Sequence, residues 1–198
     1  PAERETVDLG VAGSAAVITG GSKGMGLAIA QTLAAEGARV AVMSRGRAAL
    51  DAATESLLAA GAPDAVGISV DMSDAASIAA GFEEVRDRWG ELNSLVHAIG
   101  PGGGYFEEMD DTEWDAAFGL GTMSGVRSIR AALPMLRSAD WARIVTLSAH
   151  SIQRQSPRIV AYTAAKAALS SVTKNLSRSL AKDGILVNCV CPGTIVTA

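Results

Sequence analysis

A phenol and an amine lie four residues apart in the stretch AYTAAK, as Tyr162 and Lys166. On a helix that spacing sets both side chains on one face. Moving a hydride to or from a carbonyl carbon requires a proton to be given to, or taken from, the oxygen. Free tyrosine has a pKa of about 10, too high for efficient work as a base near neutrality. A neighbouring ammonium, together with an oxidised nicotinamide, stabilises the phenolate and lowers that value. Tyr162 is therefore the candidate acid/base, with Lys166 tuning it and holding a nicotinamide ribose. Ser148, Ser151 and Ser156 precede the pair, and one of them can donate a hydrogen bond to the substrate oxygen as charge develops there. A surface helix can also carry a tyrosine and a lysine at this spacing by chance. The pair has weight only if the rest of the chain builds a cofactor site beside it.

The stretch TGGSKGMG, Thr19 to Gly26, supplies such a site. It joins an apolar run to a helical pattern, so the helix N-terminus offers free N–H groups and partial positive charge to a pyrophosphate. Gly20 permits the tight turn, Gly24 lets the backbone approach the phosphates, and Gly26 allows close helix–strand packing. Ser22, Lys23 and Met25 complete the loop. Sites selective for NAD place a carboxylate at the end of the second strand, against the ribose hydroxyls. Here that position holds Ser44, then Arg45, with Lys23 in the loop. Two cations and no acid favour a 2′-phosphate, so NADP(H) is expected rather than NAD(H). His97 ends a buried strand, and a base there is weighed against a structural histidine, with the structural role favoured.

These residues need a scaffold, and the apolar patterning describes one. Strands are predicted at 14–19, 38–44, 65–71, 92–100, 142–148 and 185–191. Helices are predicted at 24–37, 47–60, from a Ser73 or Asp74 cap to Trp89, at 112–137 and at 157–181. Strands apolar on both faces, each followed by a helix, imply an α/β fold: a doubly wound, Rossmann-type parallel sheet with helices on both faces. Residues 1–198 read as one dinucleotide-binding domain with no linker or repeat. A sheet of this kind accommodates another strand, so a C-terminal part is expected to be missing.

Composition narrows the function classes. The chain has 198 residues, 48% hydrophobic and 19% charged, with a net charge of −4, which suits a soluble domain and gives no footprint for nucleic acid or anionic membrane. No apolar run reaches the roughly 18 residues of a membrane span, and the charged N-terminal segment does not read as a signal peptide. Cytoplasmic location is the expectation. Cys189 and Cys191 share a strand face, cannot easily bridge, and read as buried thiols of a reducing compartment. Nothing in the sequence suggests a metal site.

The two motifs together resemble the short-chain dehydrogenase/reductase family, which carries T-G-x-x-x-G-x-G after its first strand and Y-x-x-x-K on a later helix. Asp71, Trp114 and the segment Asn188…Pro192-Gly193 match as well, so the resemblance covers almost the whole chain. It implies that Asp71 and Met72 flank the adenine and that Ala98, Ile99 and Gly100 border the cofactor. Pro192, Gly193, Ile195 and Thr197 are implied near the nicotinamide and phosphates. Departures accompany the match. His97-Ala98-Ile99-Gly100 replaces the usual N-N-A-G, and Gly121 stands where an asparagine usually supports a relay water. The stretch LVHAIG is similar to the enoyl-thioester reductase branch, but that branch spaces its tyrosine and lysine seven apart, and Ile159 holds that place. The usual serine, thirteen residues before the tyrosine, falls on Ala149. Ser148 is favoured for the role, Ser151 is the alternative, and a site without a serine stays open.

The resemblance implies a carbonyl reductase or alcohol dehydrogenase acting on a ketone or a 3-oxoacyl thioester. Arg154 and Arg158 can meet an anionic carrier or be plain surface charges, the second being favoured. The chain is expected to stop before the region that covers the substrate. Small residues on the two long helices (Ala116, Ala117, Gly121, Ser124, Gly125; Ala164, Ala165, Ala168) suggest a homodimer or homotetramer. The rival reading is a cofactor-binding regulatory or scaffold protein of the same fold with weak or no turnover, which Gly121 and Ala98 motivate.

Overall fold

The computed structural model describes residues 8–195. Six strands alternate with helices: β1 (Ala15–Thr19), β2 (Arg39–Ser44), β3 (Ala65–Ser69), β4 (Ser94–His97), β5 (Ala142–Leu147) and β6 (Ile185–Val190). They form one parallel sheet in the order β3-β2-β1-β4-β5-β6. The fold class is the doubly wound Rossmann type expected. Alternation along each strand divides the core into two layers. Ala15, Val17, Ala41 and Met43 face one layer with Ile78, Phe82 and Leu136. Ala16, Ile18, Val40 and Val42 face the other with Ala34, Leu50 and Leu57.

The helices are α1 (Gly24–Ala35), α2 (Arg47–Ala60), α3 (Ala75–Trp89), α4 (Asp111–Phe118), α5 (Ser124–Ser138) and α6 (Val160–Ser179). Of the two candidate caps of α3, the structure selects Asp74, whose carboxylate accepts from the N–H groups of Ala76 and Ser77. A capping box between Asp110 and Glu113 opens α4. The single helix expected over 112–137 is interrupted by a π turn, Gly119–Met123, between α4 and α5. Two side chains hold the turn. Ser124 Oγ donates back to the Leu120 carbonyl at 2.5 Å, and Thr122 Oγ1 donates to the Ala165 carbonyl of α6 at 2.8 Å.

Further corrections concern edges and small residues. β4 ends at His97, because residues 98–100 leave the sheet to border a cleft. α6 starts at Val160, after a 3₁₀ turn at Pro157–Ile159. The cysteines are not buried thiols: Cys189 is half-buried and Cys191 exposed. β6 ends the strand order among the described residues, and Cys191 lies past its last residue. Of the small residues of the long helices, Ala117, Gly121, Ser124, Gly125 and Ala165 are buried in the chain's own packing, while Ala164 and Ala168 are half-buried and Ala116 is exposed. Among the described residues, no helix is long and apolar enough to cross a membrane.

Candidate active site

The strand order reverses between β1 and β4, and ligands of open α/β sheets bind in the crevice at such a switch point, beyond the carboxyl ends of the strands. A cleft of about 870 Å³ opens there. Gly20, Ser22, Lys23, Gly24, Met25 and Gly26 form one wall, and Ser44, Arg45, Asp71 and Met72 a second. Ala98, Ile99 and Gly100 form a third. Sequence reasoning missed Gly46, Ala49, Val70, Ser73 and Leu120, which also line it. Leu120 reaches the cleft through the π turn, which the helical pattern does not announce.

The glycine loop is built for close approach. Gly20 turns at φ 74°, and a Cβ on it would lie 2.8 Å from the Ala98 carbonyl oxygen. A Cβ on Gly26 would lie 2.2 Å from the Gly20 carbonyl oxygen, so any side chain there pushes α1 off the loop. Ser44 Oγ is buried without a hydrogen-bond partner among the described residues, at the end of β2 where a ribose or its phosphate would sit. Lys23 and Arg45 are exposed at the cleft, and neither forms a salt bridge among the described residues. An orphaned donor, two cations and a backbone cradle fit a phosphorylated dinucleotide. The Asp71 carboxylate accepts from Ser73 Oγ at 2.7 Å and from its N–H at 2.9 Å. Those bonds, with a smaller contribution from the Arg45 charge, hold it below the usual carboxylate range.

Tyr162 and Lys166 stand at the Gly100 end of this cleft. A Cβ on Gly100 would lie 3.3 Å from Tyr162 Cε2 and 3.8 Å from Lys166 Cε. Lys166 is 2% exposed, and its Nζ donates to the Ile99 carbonyl at 2.5 Å and the Leu147 carbonyl at 2.6 Å. Burial lowers its pKa to about 8. The phenol moves opposite to expectation, because burial raises the Tyr162 pKa above its ordinary value. Lys166 does not counter this: its ammonium is committed to two carbonyls and lies 6.0 Å from the tyrosine ring centre.

The serines are placed unequally. Ser148 is 4% exposed and donates to the Lys166 carbonyl at 3.0 Å, while accepting from Ser170 Oγ at 2.7 Å. Its hydroxyl proton is directed at α6, so a donor role toward substrate requires breaking that bond. Ser151 is half-buried and accepts from Thr163 Oγ1 at 3.0 Å, leaving its own proton uncommitted among the described residues. Ser156 caps the turn before α6, accepting from the Arg158 N–H. Ala149, at the family's usual serine position, is buried.

His97 is fully buried, between Thr19 Oγ1 at 2.8 Å and Ser124 Oγ at 3.0 Å. Burial, and then the Lys166 charge, lower its pKa to about 3, so it is neutral and structural at physiological pH. Pro192, Gly193 and Ile195 follow β6 outside the cleft wall, with the Pro192 carbonyl accepting from the His150 N–H at 2.9 Å. Thr197 lies outside the described residues. Arg154 and Arg158 are exposed. A second hollow of about 350 Å³, lined by Tyr105, Phe106, Glu107, Glu108, Pro157 and Val160, contains none of the expected site residues.

Comparison with known proteins agrees with this fold. Residues 14–198 match the sequence family described as short chain dehydrogenase. Dehydrogenase/reductase SDR family member 4 of Caenorhabditis elegans is 32% identical over 187 residues, spanning 93% of this chain and 72% of its own length. The 3-oxoacyl-[acyl-carrier-protein] reductase FabG of Escherichia coli is 33% identical over 93% of this chain and 75% of its own. The solved structure of L-sorbose reductase from Gluconobacter frateurii, complexed with NADPH and L-sorbose, superposes with a TM-score of 0.93. It is 33% identical and covers 96% of this chain and 73% of that one.

Proposed function

This chain belongs to the short-chain dehydrogenase family, and we propose that it is an NADP(H)-dependent oxidoreductase with Tyr162 as its acid/base. Its substrate is a ketone or 3-oxoacyl group, or the corresponding secondary alcohol. The observation that carries this reading is the position of Tyr162 and Lys166 against Gly100, which lines one end of the cleft. Relatives named for 3-oxoacyl and L-sorbose reduction support the substrate class.

Gly20, Gly24 and Gly26 would hold the pyrophosphate on the N-terminus of α1. Lys23, Ser44 and Arg45 would take the 2′-phosphate, and Asp71 and Met72 would border the adenine. When bound, the nicotinamide supplies or accepts the hydride. The chain's own task is the proton. The Tyr162 hydroxyl is protonated at neutral pH as any tyrosine is, and burial moves its pKa further up, so it is poised to donate to a carbonyl oxygen, the direction of reduction. Lys166 is mostly cationic below its pKa of about 8 and would stabilise the phenolate left after transfer once its Nζ turns from the Ile99 and Leu147 carbonyls. Ser151 has the uncommitted proton and is the better-placed donor to the substrate oxygen; Ser148 acts there only if it leaves the Lys166 carbonyl. Exposed Phe106, Phe118 and Met123 beside α4 favour a homodimer or homotetramer.

The test is NADPH oxidation by the full-length chain against a panel of ketones and 3-oxoacyl thioesters. Tyr162→Phe should abolish turnover while NADPH affinity stays within about twofold, since the phenol contributes to chemistry rather than to dinucleotide binding. Ser151→Ala should lower kcat by about tenfold, roughly 1.4 kcal/mol of barrier. A fall for Ser148→Ala with Ser151→Ala silent would instead place the donor on β5's end. Tight NADPH binding without turnover on any carbonyl would favour the cofactor-binding regulator or scaffold reading, which Gly121 and Ala98 support.

A further inference from the structure

We infer that His97 is a positioning residue, a neutral imidazole bridge that sets the spacing between the cofactor loop and the helix carrying Tyr162 and Lys166. The inference rests on reading the cleft as the dinucleotide site beside that pair.

The bridge runs in one direction. Ser124 Oγ gives its proton to the Leu120 carbonyl at 2.5 Å, so it must accept from His97 Nε2–H at 3.0 Å. His97 Nδ1 then carries no proton and accepts from Thr19 Oγ1 at 2.8 Å. Every proton in the series is donated once. Thr19, His97 and Ser124 are fully buried, so none can exchange its partner for water.

Both ends of the bridge meet site elements. Thr19 is the last residue of β1, paired in register with His97, and is followed by Gly20 of the cofactor loop. Ser124 closes the π turn, and the turn's Leu120 lines the cleft. From the same turn Thr122 reaches the carbonyl of Ala165, the residue before Lys166. Glycine at residue 125 gives the ring room: a Cβ there would lie 2.8 Å from Leu169 Cδ1, 3.2 Å from His97 Cδ2 and 3.3 Å from Nε2. The departure from the family's asparagine at His97, the π turn and Gly125 therefore form one arrangement.

Two side chains can each copy half of the imidazole. Asparagine presents an acceptor near Nδ1 and falls short of Ser124, whereas glutamine reaches Ser124 with an amide donor. In the full-length chain, His97→Asn should lower kcat about tenfold with KM for NADPH within about twofold. Ser124→Ala should give the same fall, and the double variant no further fall. His97→Gln should restore kcat to within about threefold of wild type. Equal losses for Asn and Gln, additive losses for the double variant, or unchanged kcat in all of them would overturn the proposal. A second readout needs neither turnover nor stable variants. The chain has two histidines, so ¹⁵N spectra of the wild-type imidazoles are readily resolved. One should show the Nε2–H tautomer and shift when NADPH binds. An Nδ1–H tautomer, or no response to NADPH that demonstrably binds, would overturn the bridge. If wild type binds NADPH but reduces no ketone, the activity reading fails, and these spectra still decide the bridge.

Discussion

Gly121 offers a quantitative test of how closely the catalytic helix is packed. A Cβ there would lie 2.8 Å from Ala165 Cβ, 2.9 Å from Pro101 Cγ and 3.1 Å from Pro101 Cδ. Carbon atoms in contact prefer about 3.5–4.0 Å, so the overlap is roughly 0.5–1 Å on two sides. Neither neighbour can rotate away, because one is a methyl fixed to the α6 backbone and the other a ring. Gly121→Ala must therefore separate the π turn from α6 and from the loop after Gly100. Overpacking of this kind costs about 1–3 kcal/mol, and alanine's better helix propensity returns about 1 kcal/mol. The net loss is about 0–2 kcal/mol, or a fall of up to about 8 °C in Tm for a chain of this size. Gly121→Asn, which restores the residue usual in the family, should be worse than alanine, having the same Cβ and poorer propensity. Because Ala165 precedes Lys166, kcat should fall with stability, by about tenfold or more. Ala165→Gly removes the opposing methyl, so the Gly121→Ala/Ala165→Gly pair should recover at least about 0.5 kcal/mol relative to additivity. Chemical unfolding followed by circular dichroism, with NADPH-linked kcat in parallel, measures each corner of the cycle. Gly121→Ala as stable as wild type, with no coupling to Ala165→Gly, would refute the packing argument.

Two further predictions follow from the charges. Arg45→Asp should weaken NADPH by about 1.5–3 kcal/mol, the scale of a charge-assisted hydrogen bond, or about 10- to 150-fold in Kd. NADH should be unchanged or tighter in the same fluorescence titration, and equal losses for both would sink the 2′-phosphate assignment. His97 has a folded pKa of about 3 against 6.5 when unfolded, so in that window the unfolded chain binds more protons. Its contribution to stability is present above about pH 6.5 and declines as pH falls towards 3; His97→Asn should flatten the stability profile over that range, and an unchanged profile would contradict the buried neutral ring.

The local features of this chain were legible without coordinates because each depends on neighbours in sequence. The helix at Arg47–Ala60 stands at the boundaries read from its apolar period. The strand–glycine loop–helix unit at Thr19–Gly26 could be assigned a job because turn, cradle and helix N-terminus all lie within eight residues. Tyr162 and Lys166 share a helix face by spacing alone. Thirteen of the residues expected at the cofactor do line one cleft, because strand ends converge in any doubly wound sheet. Burial and partners at long range were decided only by the tertiary structure. The phenol's pKa rises because the fold buries it, and Lys166 bonds to carbonyls 67 and 19 residues away instead of turning to the tyrosine one turn before it. Ser148 looked like a donor by its place at a strand end, yet its proton goes to a carbonyl 18 residues on. The π turn arises from Thr122 reaching Ala165, 43 residues distant, a bond no helical period encodes. Periodicity reports which face is apolar, whereas the direction of a hydroxyl, the desolvation of a charge and the need for a missing Cβ depend on what the folded chain brings opposite.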